Sequence, residues 1–132
     1  EHVYSVTVNK NLNAPGTRTI ETKIETLKLA TFLRALPGRP AVDLMKIDVE
    51  THEAEVLEGM EELLAEQRPS MLIELLNDEV AGRVEALIKG LGYLYFDIDD
   101  IGKPARRERL GKSGHFNYLL CSEETARRLE LL

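Results

Sequence analysis

Hydrophobic and polar positions follow two periods along this chain, and each period predicts a different kind of element. Strict alternation, or a nearly continuous apolar run, is typical of strands. The strand pattern occurs in six segments, which are His2–Val8, Thr19–Thr26, Val42–Glu50, Met71–Leu76, Tyr93–Ile98 and Phe116–Cys121. Polar loops are expected at Asn9–Thr17 and Asp99–Gly114, where the apolar pattern is lost.

Apolar residues spaced three and four apart predict helices between these strands. The helices are expected over Leu29–Leu36, from an N-cap at Thr51 to just before Pro69, from Asn77 to about Gly90, and from a cap at Ser122 to Leu132. Strands that alternate with helices of this length indicate an α/β protein with a largely parallel sheet. The last two strands are joined by a loop without a helix, which favours an antiparallel hairpin.

The candidate chemistry lies where the third predicted strand ends. Alternation would place Lys46, Asp48 and Glu50 on one face, with the two carboxylates roughly 7 Å apart. His52 and Glu53 follow at the start of the helix. Ligands of open α/β sheets bind outside the carboxyl ends of strands, so this cluster is a candidate binding site. The alternative is that Lys46 neutralises Asp48 while the other side chains are only solvated.

Two stretches of the sequence carry a longer pattern. Residues 42–60, VDLMKIDVETHEAEVLEGM, hold an apolar strand ending in K-I-D-x-E and an acidic helix with L-x-G; residues 68–74, RPSMLIE, hold R-P and a strand ending in Glu. This pattern resembles the FkbM-type methyltransferases, and the resemblance covers most of residues 29–121, Gly92-Tyr93 and Asn117 included. Thr51 stands where many relatives carry Gly, and Ala30 stands where an acid is often found.

The resemblance implies a Rossmann-like sheet of seven strands. Val42–Glu50 would be its fourth strand, Met71–Leu76 its fifth, and the last two predicted strands its closing pair. The first three strands, with the glycine-rich turn that binds the cofactor, would lie upstream, because no G-x-G follows a predicted strand in this sequence. Residues 1–132 are therefore expected to form a single domain, the C-terminal part of a methyltransferase domain.

The activity implied by the resemblance is methyl transfer from S-adenosylmethionine to an oxygen of a small molecule or sugar. His52 would act as the base, Glu50 would hold the acceptor or a cation, and Asp48 would line the methionine end of the cofactor site. The isolated piece is expected to be inactive. Its fourth strand would lose a neighbour and leave an apolar edge, to be covered by the N-terminal strands, by a second copy in a homodimer, or by aggregation.

Two other classes of function stay open at this stage. A divalent-metal-dependent hydrolase could use Asp48, Glu50 and His52, with Glu74, around Mg²⁺ or Mn²⁺, since such hard cations prefer oxygen ligands. The third class is a non-catalytic α/β scaffold.

Charge and cysteine content narrow the choice of partners. The net charge of −6 argues against nucleic acid, and the basic cluster at 106–109 has no neighbouring aromatic residue on which a base could stack, so it is interpreted as a solvated loop. The single cysteine, Cys121, lies in an apolar strand pattern, and no paired Cys/His spacing indicates zinc. The sequence holds no membrane-spanning run and no signal peptide, which predicts a cytoplasmic protein with no membrane partner.

Overall fold

The computed structural model describes residues 16, 18, 20, 22–99 and 101–132. The predicted strand His2–Val8 lies outside these residues, as does most of the predicted loop that follows it. The strand predicted over Thr19–Thr26 is wrong for its described residues, which have no regular structure. Ile20 is 94% exposed and Ile24 is 64% exposed, so the alternation there does not bury an apolar face.

The described residues form five helices and five strands. In chain order these are α1 (Leu29–Ala35), β1 (Leu44–Ile47), α2 (Glu53–Glu58), α3 (Glu61–Gln67), β2 (Ser70–Glu74), α4 (Asp78–Ile88), β3 (Leu94–Asp97), β4 (Ala105–Arg107), β5 (Asn117–Cys121) and α5 (Glu123–Arg128).

The strands form one mixed sheet in the order β1-β2-β5-β3-β4. The α/β class is confirmed, but the prediction of a mainly parallel sheet is wrong. Only β1 and β2 pair in parallel among the described strands, and the pairs β2–β5, β5–β3 and β3–β4 are antiparallel. The physical reason is the loop after β3: without a crossover helix the chain returns in the opposite direction, and β5 enters between β2 and β3.

The directions of the strands decide where a site can form. β5 is antiparallel to both β2 and β3, so β1, β2 and β3 run in the same direction. The carboxyl ends of these three strands consequently lie along one edge of the sheet, which we call the acidic edge because Asp48, Glu74 and Asp97 lie at these ends.

The two faces of the sheet are covered unequally. One face carries Ile47, Met71, Ile73 and Leu120, which are buried in the larger core together with side chains of α2, α3 and α4. The other face carries a smaller cluster of Phe96, Leu119 and Cys121, packed with Ala126 of α5. We call these the thick face and the thin face. Since side chains alternate along a strand, Asp48 and Glu74, which follow Ile47 and Ile73, lie toward the thin face, and Asp97, which follows Phe96, lies toward the thick face.

The helix predicted from Thr51 to before Pro69 is two helices. α2 ends at Glu58 and α3 begins at Glu61, with Gly59 and Met60 between them. The predicted apolar stripe is nevertheless buried, since Leu57, Met60, Leu63 and Leu64 all belong to the larger core. Met60 is fully buried and is therefore a packing residue of this core.

Capping explains where the other helices begin. The Asn77 side chain accepts a hydrogen bond of 2.9 Å from the Val80 N–H at the start of α4, and Ser122 accepts one of 3.1 Å from Thr125 N–H at the start of α5, as their sequence positions predict. The predicted loop at 99–114 contains the short strand β4, which the sequence analysis missed. Burial raises the pKa of Cys121, in agreement with its placement in a buried strand.

β1 lies at the end of the sheet. No other described strand pairs with its outer edge, and Leu44 on that strand is 59% exposed. Pairing of this edge with a second copy of the chain stays a prediction. None of the helices in the described residues is long and apolar enough to span a membrane.

Candidate functional site

The first group of the acidic edge is the ion pair at the end of β1. Lys46 Nζ donates a hydrogen bond of 3.1 Å to Asp48 Oδ2, and both side chains are about half exposed. This contact is the one that the alternative interpretation of the sequence required. An ion pair with this exposure contributes less than about 1 kcal/mol to stability, so it does not commit Asp48 to a structural role.

Glu74, at the end of the neighbouring strand, completes this group. The register pairs Ile47 with Ile73, so the residues that follow, Asp48 and Glu74, also lie side by side. The pKa of Glu74 is raised, first by burial and then by the charge of Asp48 and a hydrogen bond with it. Lys46 opposes the rise, and Glu50 adds to it. Three carboxylates and one ammonium group therefore share this end of the sheet, and the acids are in excess.

The backbone beyond β1 leaves the strand conformation earlier than predicted. β1 ends at Ile47, and Glu50 and Thr51 have positive φ angles of 53° and 77°. The predicted alternation from Lys46 to Glu50 therefore does not apply to Glu50. Left-handed conformations of non-glycine residues cost on the order of 1–3 kcal/mol each and persist where the surrounding contacts enforce them. Two of them in sequence mark this turn as a constrained one.

His52 follows the turn and occupies the N-cap position of α2, where the sequence analysis expected Thr51. Its side chain makes no capping hydrogen bond, and its Nδ1 lies 3.4 Å from the Glu50 carbonyl oxygen. The imidazole is only partly exposed. This contact places the imidazole against the backbone of Glu50. The charge of Glu50 also contributes to the raised pKa of Glu74, so the Glu50 carboxylate lies close enough to Glu74 to affect its ionisation. The proposed roles of the three residues stay predictions.

Glu53 is the residue of this region whose role the sequence analysis missed. It is fully buried, and its Oε1 accepts hydrogen bonds from the Val49 N–H at 3.2 Å and the Thr51 N–H at 3.3 Å. The sequence analysis placed Glu53 only at the start of the helix. A signal was available in the sequence, since Glu53 lies two residues after a position where relatives often carry glycine, and such a turn needs acceptors for its free N–H groups.

A second group lies at the end of β3. Asp97 is 3% exposed, and its Oδ2 accepts a hydrogen bond of 2.8 Å from Arg107 on β4. His115 lies between Asp97 and Asp99, with nitrogen-to-oxygen distances of 3.6 and 3.7 Å. Burial raises the pKa of Asp97, but hydrogen bonds from Arg107 and Ser113 and the charge of Arg107 outweigh burial, and the net shift is downward. Here the buried acid is neutralised.

The described residues contain no group of three His, Cys, Asp or Glu side chains arranged to hold a metal ion. The hydrolase alternative needed such a group around Asp48, Glu50 and His52, so the geometry of these residues gives it no support.

The comparison with known families identifies the family of the chain. Residues 3–95 match the Methyltransferase FkbM domain. The chain belongs to the FkbM methyltransferase family. The match includes β1, β2, α2, α3 and α4, and with them the constrained turn and the pair of Asp48 and Glu74. No curated protein and no solved structure matches this FkbM family member.

Proposed function

We propose that this chain is part of an S-adenosylmethionine-dependent methyltransferase that methylates an oxygen of a small molecule or sugar, with the cofactor bound at the Asp48 and Glu74 end of the acidic edge. The observation that carries the proposal is the excess of acid there. Burial and the neighbouring carboxylates already raise the pKa of Glu74, and Lys46 alone opposes them. A cationic ligand at this position would relieve that repulsion.

The residues present fit such a ligand. S-adenosylmethionine would supply the electrophilic methyl group, and its sulfonium and ammonium groups are the cationic parts that an acidic edge can attract. Asp48 interacts with Lys46 and Glu74 but is still about half exposed, so its carboxylate is accessible. A buried acid such as Asp97, whose Oδ2 is paired with Arg107, could not serve in this way without losing that partner.

His52 and Glu50 are the groups that we assign to the acceptor. An imidazole suits the removal of a proton from a hydroxyl group at neutral pH. The His52 Nδ1 faces the Glu50 carbonyl, which leaves Nε2 as the atom that would take the proton. The Glu50 carboxylate would position the acceptor. Since the acceptor oxygen must lie in line with the methyl group, positioning of the acceptor would supply most of the rate acceleration.

We further propose that the glycine-rich turn of the cofactor site is contributed by sequence outside these residues. No strand in the sequence is followed by G-x-G, and Gly16 and Gly38 have open space around them. The isolated chain is then expected to bind S-adenosylmethionine very weakly and to be inactive, whereas the product of the whole gene binds it.

The experiment is calorimetric titration of the whole gene product with S-adenosylmethionine and with S-adenosylhomocysteine, a thioether whose sulfur carries no charge. We expect Asp48→Asn to weaken binding of S-adenosylmethionine about tenfold, or about 1.4 kcal/mol, and to weaken binding of the thioether less. Asp43→Asn is the matched control, because Asp43 is exposed just before the opposite end of the same strand. Equal affinities for the wild type and Asp48→Asn would refute the proposed cofactor position. A wild type that binds neither compound would favour the non-catalytic scaffold.

A further inference from the structure

The turn between β1 and α2 is held by a single buried carboxylate. Glu53 Oε1 lies within hydrogen-bond distance of two backbone N–H groups, one on each side of Glu50. The turn is also closed by a hydrogen bond of 3.3 Å from the His52 N–H to the Val49 carbonyl. These contacts surround the two residues with positive φ, Glu50 and Thr51, from both ends.

The two oxygens of the Glu53 carboxylate differ in their contacts. Glu53 Oε2 is buried and has no hydrogen-bond partner among the described residues. A charged oxygen without a partner is unfavourable in a core, and replacing the acid by an apolar residue would remove that penalty. Its presence here is explained by Oε1, which satisfies two backbone N–H groups that the left-handed turn directs away from any strand or helix partner.

We infer that Glu53 is the positioning residue of the candidate site: its carboxylate fixes the turn that sets the directions of Glu50 and His52. This inference rests on the proposed function only in naming those two residues as the groups to be positioned. Glu53 touches neither the cofactor nor the acceptor, since it is fully buried beneath the turn. It acts through Val49 and Thr51, whose N–H groups it holds.

Three variants distinguish the loss of the two hydrogen bonds to Glu53 Oε1 from a general loss of stability. Glu53→Gln keeps an oxygen that can accept both hydrogen bonds, whereas Glu53→Ala removes it. Glu53→Ala combined with Thr51→Gly removes the two hydrogen bonds but places at position 51 a residue that adopts positive φ without strain. Glu55→Ala is the matched control, because Glu55 lies on the same helix, is exposed, and pairs with Arg83.

The first measurement is amide hydrogen exchange on the 132-residue chain by NMR. In Glu53→Ala we expect exchange at Val49 and Thr51 to accelerate at least tenfold and the ring signals of His52 to shift, while Val56, whose N–H bonds to the His52 carbonyl, changes little. Glu53→Gln and Glu55→Ala should resemble the wild type, and the glycine double variant should recover the His52 signals. Unchanged exchange in Glu53→Ala, or accelerated exchange with unmoved His52 signals, would overturn the inference.

The second measurement uses the whole gene product and methyl transfer. Glu53→Ala should lower kcat at least tenfold, with Glu53→Gln within twofold of the wild type. Loss of activity in both variants would overturn the positioning role, because it would show that the charge matters rather than the hydrogen-bond acceptor. If the wild type transfers no methyl group, the proposed function fails, and the exchange measurement still decides whether Glu53 holds the turn.

Discussion

The carboxylates at the two ends of the acidic edge differ in their partners, and the pKa values of Asp97 and Glu74 are shifted in opposite directions. At β3 the acid is on the thick face, nearly fully buried, and paired with a guanidinium group, so its pKa is lowered. At β1 and β2 the acids lie toward the thin face, share one ammonium group, and the pKa of Glu74 is raised. The difference separates a structural acid from acids that are available to a ligand. A count of carboxylates in the sequence cannot make this distinction.

The largest expected effect comes from removing the structural acid. Asp97→Ala takes away a buried charged acceptor from Arg107 and should lower the free energy of unfolding by about 2 kcal/mol, because hydrogen bonds to charged groups are among the stronger ones. Urea unfolding at pH 7 measures it. Asp99→Ala is the control, since its side chain is 40% exposed, and it should change stability by less than about 0.5 kcal/mol. Similar losses in the free energy of unfolding for both variants would contradict the structural role of Asp97.

The next effect has the opposite sign. The raised pKa means that Glu74 is harder to ionise in the folded state than in the unfolded chain. It therefore disfavours folding at pH values above its raised pKa and has no such effect below the pKa of an unfolded carboxyl group, about 4.3. Glu74→Gln should therefore stabilise the chain at pH 7, by roughly 0.5 kcal/mol, and the gain should disappear near pH 4. Asp97 behaves in reverse: its lowered pKa stabilises the fold above about pH 3.9, and this stabilisation is lost as the pH falls further. Destabilisation by Glu74→Gln at pH 7 would show that Glu74 is also structural.

The smallest effect concerns Lys46, whose charge is the one among the described residues that opposes the rise in the pKa of Glu74. Lys46→Met removes an exposed ion pair, so stability should change by less than about 0.5 kcal/mol. The pKa of Glu74, followed by NMR titration, should nevertheless rise further, since Lys46 lowers it in the wild type. An unchanged pKa of Glu74 would mean that Lys46 interacts with Asp48 and not with Glu74.

The sequence was sufficient for the features that depend on local pattern. The sequence predicts the helix start at Asn77, the cap at Ser122 and the buried stripe through Leu57 and Leu64, because a cap or an apolar face is encoded within one or two turns. The order of the strands was not predictable in this way. Whether β5 pairs at the end of the sheet or between β2 and β3 depends on contacts far apart in the chain.

The site was predictable in its location and not in its geometry. Asp48 and Glu74 could be placed at neighbouring strand ends, and the structure brings them together. The left-handed turn at Glu50 could not be foreseen, because Thr51 stands where glycine would have signalled it. The role of Glu53 was missed because a buried acid is unfavourable by itself, and only its hydrogen bonds from the Val49 and Thr51 N–H groups account for it.

The central position of β5 has a consequence for the order of assembly during synthesis. β5 is the last described strand to leave the ribosome, yet it is the strand that joins β1 and β2 to β3 and β4. Until it emerges, the two earlier strand pairs share no backbone hydrogen bond and each keeps an open edge. The nascent chain therefore reaches almost its full described length before its sheet can close, and a ribosome pause just upstream of residue 117 would prolong the interval in which these edges are exposed to other chains.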